Sequence, residues 1–413
     1  MSLIRPFAGL RPAAGRASEV IAPPYDVLSS DEARARAAGK PWSFLHISKP
    51  EIDLPAGTDP YAPEVYAKAA ENLDLMIRQG ILVRDPAPCY YVYRLVMGRH
   101  VQTGLVAAAS VAEYDVNRIR KHEHTQADKE SDRVRQIDAL NAQTGPVMVG
   151  YPSAPAVDDI LARCSAGTPD ADATADGGVR HSLWVVRDAG VQARLTQAFD
   201  AMPAIYIADG HHRSAAASRV AAARRAANPR HTGAESYNYF LTVSFPHHQM
   251  QILDYNRVVV DLNGMDAAEF LERLRKSFSV DRSPVPVRPA RAGEFGLYVA
   301  GRWHRLAIRP DLVPAHDPVA RHDATLLTDH LLGPVLGIKD LRRDKRIDYV
   351  GGIRGLGELE KRVNSGEMAA AFSLRPTSME ELMAVAEAGK VMPTKSTWFE
   401  PKLADGLVSH VLD

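Results

Sequence analysis

An α+β fold, with mixed β-sheets flanked by helices, is predicted by three observations. Helical periods and β-rich runs occur along the whole chain in mixed order. Some β-rich runs pair as hairpins around single glycines, such as Gly98 and Gly301. Hydrophobic residues make up 46% and charged residues 24%, so a chain of 413 residues can bury a large core without staples. Its length suggests two or three domains. A boundary near 262 divides it into 1–262 and a smaller α+β portion, 263–413.

The elements follow in order. "VIAPPYDVL" (20–28) reads as a short strand breaking at Pro23 and Pro24. Residues 29–38 start a helix that Ser29 or Ser30 can cap. Val65, Ala69, Leu73 and Met76 repeat at helical spacing within 59–82, which ends near Gly80. Residues 89–111 read as a hairpin. Thr125 can cap a helix with Asp128 three residues on, and Gly145–Pro146 end it. Strands are read at 146–152, 181–188, 204–209, 237–245 and 250–262. Residues 153–180, rich in Ala, Asp, Gly, Ser and Pro, read as a variable loop with a short helix at most. Beyond 262 come helices at 265–278, 322–333, 356–365 and 378–388. Between them lie a hairpin around Gly301 and strands at 347–350 and 369–376.

Lys plus Arg and Asp plus Glu both number 50, so the net charge is zero. That argues against non-specific nucleic-acid binding and favours a small-molecule enzyme or a neutral binding module. Cys89 and Cys164 sit beside no His or CxxC partner and read as buried thiols. Pro6 and Pro12 break any signal-peptide pattern, and no apolar run approaches a membrane span. A reduced, cytoplasmic setting follows. Oligomeric state is left open.

The segment "YIADGHHRSAAA" (206–217) carries the most chemistry. A strand delivers Asp209, Gly210 allows a tight turn, and His211, His212 and Arg213 open a helix. Amides at a helix start attract anions, and an Arg adds a fork suited to phosphate. Asp209 can cap the helix or hold a divalent cation, and a neighbouring histidine can bind metal or move protons. A capped helix with two surface histidines is the bland alternative.

"RKHEHT…DKESDR" (120–133) stands at a second helix start. Arg120 and Lys121 before an N-terminus oppose the macrodipole unless an anion lies between them. Lys129 and Arg133 share one face at i,i+4. A solvated, salt-bridged surface is again the alternative. Asp26 follows a rigid double proline, and Lys395, Ser396 and Thr397 lie in a loop between two prolines. The usual nucleotide and hydrolase motifs, G-x-x-x-x-G-K-[ST], G-x-G-x-x-G, G-x-S-x-G and H-E-x-x-H, do not occur. His122 and His124 are too close to share a helical metal face.

"PPYDV", "RKHEHT…DKESDR", "DGHHR" and "MPTKSTWFEPK", in that order, resemble the signature segments of the bacterial and archaeal domain-of-unknown-function family 1015. The "DGHHR" turn also resembles the phosphate-binding turn of the ParB-like superfamily, which includes sulfiredoxin and free-serine kinases. This resemblance implies a ParB-like, sulfiredoxin-like core and a Mg²⁺-dependent small-molecule kinase. It would transfer a phosphoryl group from pyrophosphate or a nucleotide (ATP or ADP) to a hydroxyl, free L-serine above all. Asp209 and His212 would position the metal. Gly210, His211, Arg213, Arg120, Lys121, Lys129, Arg133, Lys395, Ser396 and Thr397 would hold phosphoryl oxygens. Glu123 would be the base, with Asp26 second and His211 also catalytic. A ParB-like nucleotide-binding module and a phosphohydrolase are the alternatives.

Overall fold

The computed structural model describes residues 2–413. They form two compact units, one running up to Met250 and including Pro401–Asp413, the other Gln251–Glu400. Segments 251–262 and 401–413 therefore each lie in the other unit from a division at 262.

The first unit is built on a nine-stranded mixed sheet. Its strands are β1 (Ile4–Arg5), β2 (Tyr90–Met97), β3 (His100–Ser110), β4 (Ile119–Arg120), β5 (Val147–Tyr151), β6 (Ala171–Thr174), β7 (Arg180–Val186), β8 (Ile205–Asp209) and β9 (Tyr239–Pro246). The order is β4-β8-β5-β9-β3-β2-β7-β6, with β1 on β3. The pairs β8/β4 and β9/β5 are parallel, and the other pairs are antiparallel. Such a sheet is covered by apolar side chains, among them Tyr90, Leu105, Val149, Phe199, Ile207 and Phe240.

Three helices matter for the site. In α1 (Pro63–Arg78), Val65, Ala69, Leu73 and Met76 are buried, as their spacing predicts. α2 spans Ala127–Leu140 and α3 spans His211–Ala227. Gln126, not Thr125, is the N-cap of α2, and it makes no side-chain cap. The Thr125 hydroxyl instead donates to the carboxylate of Glu130. Ser29 does cap its helix, through a full capping box with Glu32.

The region read as a loop at 153–180 is more ordered than its composition suggested. Pro155 opens a helix, Pro155–Cys164, whose Val157, Ile160 and Leu161 are buried at i, i+3, i+4 spacing, and β6 follows. Residues 20–28 form no strand: Val20 ends a short helix, Ala17–Val20, and a bridge at Ala22 and a short 3₁₀ turn, Tyr25–Val27, follow.

The C-terminal segment completes this unit. Ser409–Val411 pairs with Gly9–Pro12 and Ala142–Gln143 in a four-stranded sheet that also holds Leu82–Arg84. Upstream, Ala22 and Asp405 exchange backbone hydrogen bonds of 3.1 and 2.9 Å. The segment 401–405 is thereby fixed beside the 25–27 turn.

The second unit contains a six-stranded sheet, ordered Phe278–Ser283, Arg302–Ile308, Glu294–Val299, Ala370–Ser373, Tyr255–Val259 and Ile347–Gly351. Its helices include Ala267–Leu274, Leu356–Asn364 and Met379–Glu387. The hairpin read around Gly301 is present. Among the described residues no helix is long and apolar enough to cross a membrane.

Leu407 is 1% exposed, so the C-terminal segment is core rather than tail. Leu407→Ala is expected to destabilise the chain by about 2–5 kcal/mol, read as a lower urea midpoint.

Candidate functional site

The site begins where β8 ends. The register of β8 against β5 shifts between Ile207 and Asp209, a bulge that re-aims the strand's last residue. Gly210 then takes φ +99°, ψ 28°, in the left-handed region. A Cβ there would also lie 3.3 Å from the Arg213 guanidinium and from Val147 Cα. Glycine is required twice, by conformation and by space. No side chain caps α3 and no acid lies in its first turn, so neither neutralises the positive end of its dipole.

Arg213 organises the acids. Its Nη1 donates to the Pro146 carbonyl, and its Nη2 lies 3.6 Å from both Asp26 and Asp209. Its side chain is only 9% exposed. It is therefore a buried clamp rather than the open phosphate fork the motif suggested. Lys402 Nζ stands 3.5 Å from Asp209 on the other side. Burial pushes the Asp209 carboxyl up, but Lys402, Arg213 and His211 outweigh it and hold it well below the usual range.

The second cluster comes to the same place. The backbone N–H of His122 donates to His211 Nε2 at 3.4 Å, and the two rings meet edge to face with centroids 4.4 Å apart. Glu123 Oε2 lies 3.6 Å from His211 Nδ1. Burial lowers both imidazoles, His122 to about 4 and His211 well below its ordinary value. Glu123 and Asp26 are the solvent-facing carboxylates here, their side chains 57% and 42% exposed.

His212 has another task. Its Nε2 accepts the Gln126 N–H at 3.1 Å, so it caps α2 from α3. With Asp209 held by two cations, the Asp209–His212 pair does not fit as a ready-made holder for Mg²⁺. A donor set that could hold an ion is His122, Glu123 and His211, whose ligand atoms lie within 4.8 Å of one another.

The remaining cations divide. The Arg133 guanidinium sits 3.8 Å over the Tyr25 ring and pairs with Asp132 at 2.6 Å. Lys129 is exposed on the first turn of α2 and, after burial, is the next cause lowering His212. Lys121 turns away, donating to the Tyr114 carbonyl at 3.2 Å and lying 4.1 Å from its ring. Arg120, the last residue of β4, stands 5.9 Å from the Tyr206 ring.

Lys395, Ser396 and Thr397 belong to the second unit, where the loop's polar groups close its own turn. Lys395 has φ +57°, and its carbonyl accepts from Arg257 at 3.1 Å. The Ser396 hydroxyl donates to Pro393 at 2.6 Å, and the Ser396 carbonyl accepts from Thr377 at 2.6 Å. Thr397 is half-buried.

Residues 4–327 match the model of the family described as "Protein of unknown function (DUF1015)". The chain belongs to that family. No curated protein matches it. Among solved structures it is similar to a free serine kinase in complex with AMP, at 12% identity and TM-score 0.36, covering 72% of this chain and 86% of that one. It is also similar to a conserved hypothetical protein from Pyrococcus furiosus, at 14% identity and TM-score 0.35, covering 73% and 93%. A third is C-terminally truncated SbnI from Staphylococcus aureus, at 11% identity and TM-score 0.37, covering 73% and 85%. Scores in this range do not carry the neighbours' ligands over to this chain.

Three residues of the site escaped the sequence reading. Lys402 closes the "MPTKSTWFEPK" segment, where nothing local marks it for the site. His122 lies too near His124 to share a helical metal face with it, and its partner His211 is remote in sequence. Asp405, 3% exposed, lines a cavity of about 40 Å³ with Tyr25, Arg133, Thr144, Gly145 and Arg213. Its Oδ1 has no hydrogen-bond partner among the described residues. Burial pushes its carboxyl up to about 7, with Asp26 adding and Arg213 and Arg133 opposing.

Two outcomes follow. Gly210→Ala should cost about 1 kcal/mol or more in urea unfolding, since the left-handed turn cannot take a Cβ without strain. A carboxyl raised in the folded state favours folding least when ionised. Stability tied to Asp405 should therefore fall as pH rises from 3.8 to about 7. Asp405→Asn should remove that fall, so its Tm gains on wild type across this window. An unchanged Tm difference from pH 4 to 8 would contradict it.

Proposed function

We propose that this chain is a phosphotransferase that moves a phosphoryl group from pyrophosphate or a nucleotide to the hydroxyl of a small acceptor. The observation that carries the reading is one convergence. The uncapped start of α3, the cations Lys402 and Arg213, and the exposed carboxylates Asp26 and Glu123 all surround the Asp209–Gly210 turn. The turn is read as a ParB-like phosphate-binding turn. That resemblance points to free L-serine as acceptor and to Mg²⁺ arriving with the donor.

The chemistry needs little covalent help from the protein. The acceptor oxygen attacks phosphorus, the bond to the leaving phosphate breaks, and the hydroxyl proton passes to a carboxylate. The α3 amides, with Lys402 and the charge of Arg213, offset the negative charge on the phosphoryl oxygens. Asp26, exposed beside Arg213, is assigned as the base, because Glu123 stands with two imidazoles. His211 accepts the His122 amide and lies 3.6 Å from Glu123. Lys129, in the first turn of α2, adds positive charge, whereas Arg133, one turn further on, is paired with Asp132.

The test is turnover of pyrophosphate and of ATP and ADP with and without L-serine. Serine-dependent turnover supports the reading. Turnover without serine makes the chain a phosphohydrolase, and none makes it a binding module. With an active pair, Asp26→Asn should lower kcat about 10²–10⁴-fold while donor binding stays nearly unchanged. Lys402→Ala should instead weaken donor binding about 10–100-fold, the scale of one hydrogen bond to a charged group. Loss of kcat in Glu123→Gln but not in Asp26→Asn would transfer the base role to Glu123.

A further inference from the structure

The cluster of His122, Glu123 and His211 is not explained by phosphoryl transfer alone. A protonated His211 paired with Glu123 would be the simple account. Their 3.6 Å separation, however, is too long for a hydrogen bond. His122 is 2% exposed, and its Nδ1 has no hydrogen-bond partner among the described residues. Its ring also hydrogen-bonds to the Ile207 carbonyl. A ring nitrogen anchored on a backbone carbonyl leaves the other as an acceptor, the arrangement common behind metal-bound histidines.

We propose that His122, Glu123 and His211 bind a divalent transition cation of the Zn²⁺ or Co²⁺ class through two imidazole nitrogens and one carboxylate oxygen. Imidazole suits such cations, whereas Mg²⁺ takes oxygen ligands. The three ligand atoms lie within 4.8 Å of one another, and a cation at about 2.0–2.2 Å from each would draw them closer. The Glu123 side chain is 57% exposed. At His211 the 3.4 Å contact with the His122 amide is the one that gives way. Three protein ligands leave further positions for water or substrate.

The inference rests on the proposed phosphotransfer only for its location, and its test uses neither donor nor acceptor. The full chain, stripped with chelator, is titrated with Co²⁺ alone and followed by visible absorption. One Co²⁺ should bind per chain and persist in tenfold excess Mg²⁺. His122→Ala and His211→Ala should each weaken it at least tenfold, while the surface variant His248→Ala leaves it unchanged. Should either variant fail to fold, the wild type still decides. Proton NMR of the Co²⁺ form should show two strongly shifted, exchangeable imidazole N–H signals. Absence of those signals, displacement by equal Mg²⁺, or full binding in both folded variants would overturn the assignment. Serine phosphorylation can fail while Co²⁺ binding stands, so the two readings are separable.

Discussion

The guanidinium of Arg213 is the interaction on which the site depends. One buried side chain ties the Pro146 carbonyl at the entry to β5, Asp26 in the 25–27 turn and Asp209 at the end of β8. Burying a cation is costly unless it is paired, and here burial is outweighed by Asp26 and Asp209, so the charge stays on. The same packing explains Gly210 and Gly145. A Cβ at either would press on the Arg213 side chain, at 3.3 and 3.2 Å.

The charge arrangement around it has two consequences. With Asp26 and Asp209 already flanking Arg213, Asp405 is a further acid in a dry setting and is driven toward its neutral form. On the other flank, burial lowers the His122 and His211 imidazoles, which pack edge to face beside an exposed carboxylate. The proposed anion site lies at the start of α3 and the proposed metal site at the rings. His212 joins α3 to the start of α2 by accepting the Gln126 amide.

What was legible in the sequence was local. The strand–turn–helix at Asp209–Arg213 was visible because glycine, polar residues and an alanine run mark each part. The α+β class, the two hairpins and the buried stripe of α1 were visible because periodicity reports burial directly. Less visible was anything that depends on long-range return of the chain. Asp405 and Lys402 join the first unit only because Asp405 bridges Ala22 and Ser409–Val411 completes a sheet. His122 and His211 are 89 residues apart, so their pairing has no local signal. At Lys395–Thr397, a loop whose Ser396 hydroxyl donates to Pro393 within its own turn carries the same residue types as one that binds phosphate. The helix at 155–164 was hidden by loop-like composition, although Val157, Ile160 and Leu161 keep the helical spacing.

The central claim is that the Gly210–Arg213 turn receives the phosphate of the donor. It is tested most directly by a crystal structure of the chain soaked with pyrophosphate. The account predicts phosphate density within hydrogen-bond distance of the backbone amides of residues 211–213, with Lys402 alongside. Ordered pyrophosphate bound elsewhere, with that turn empty, would contradict it.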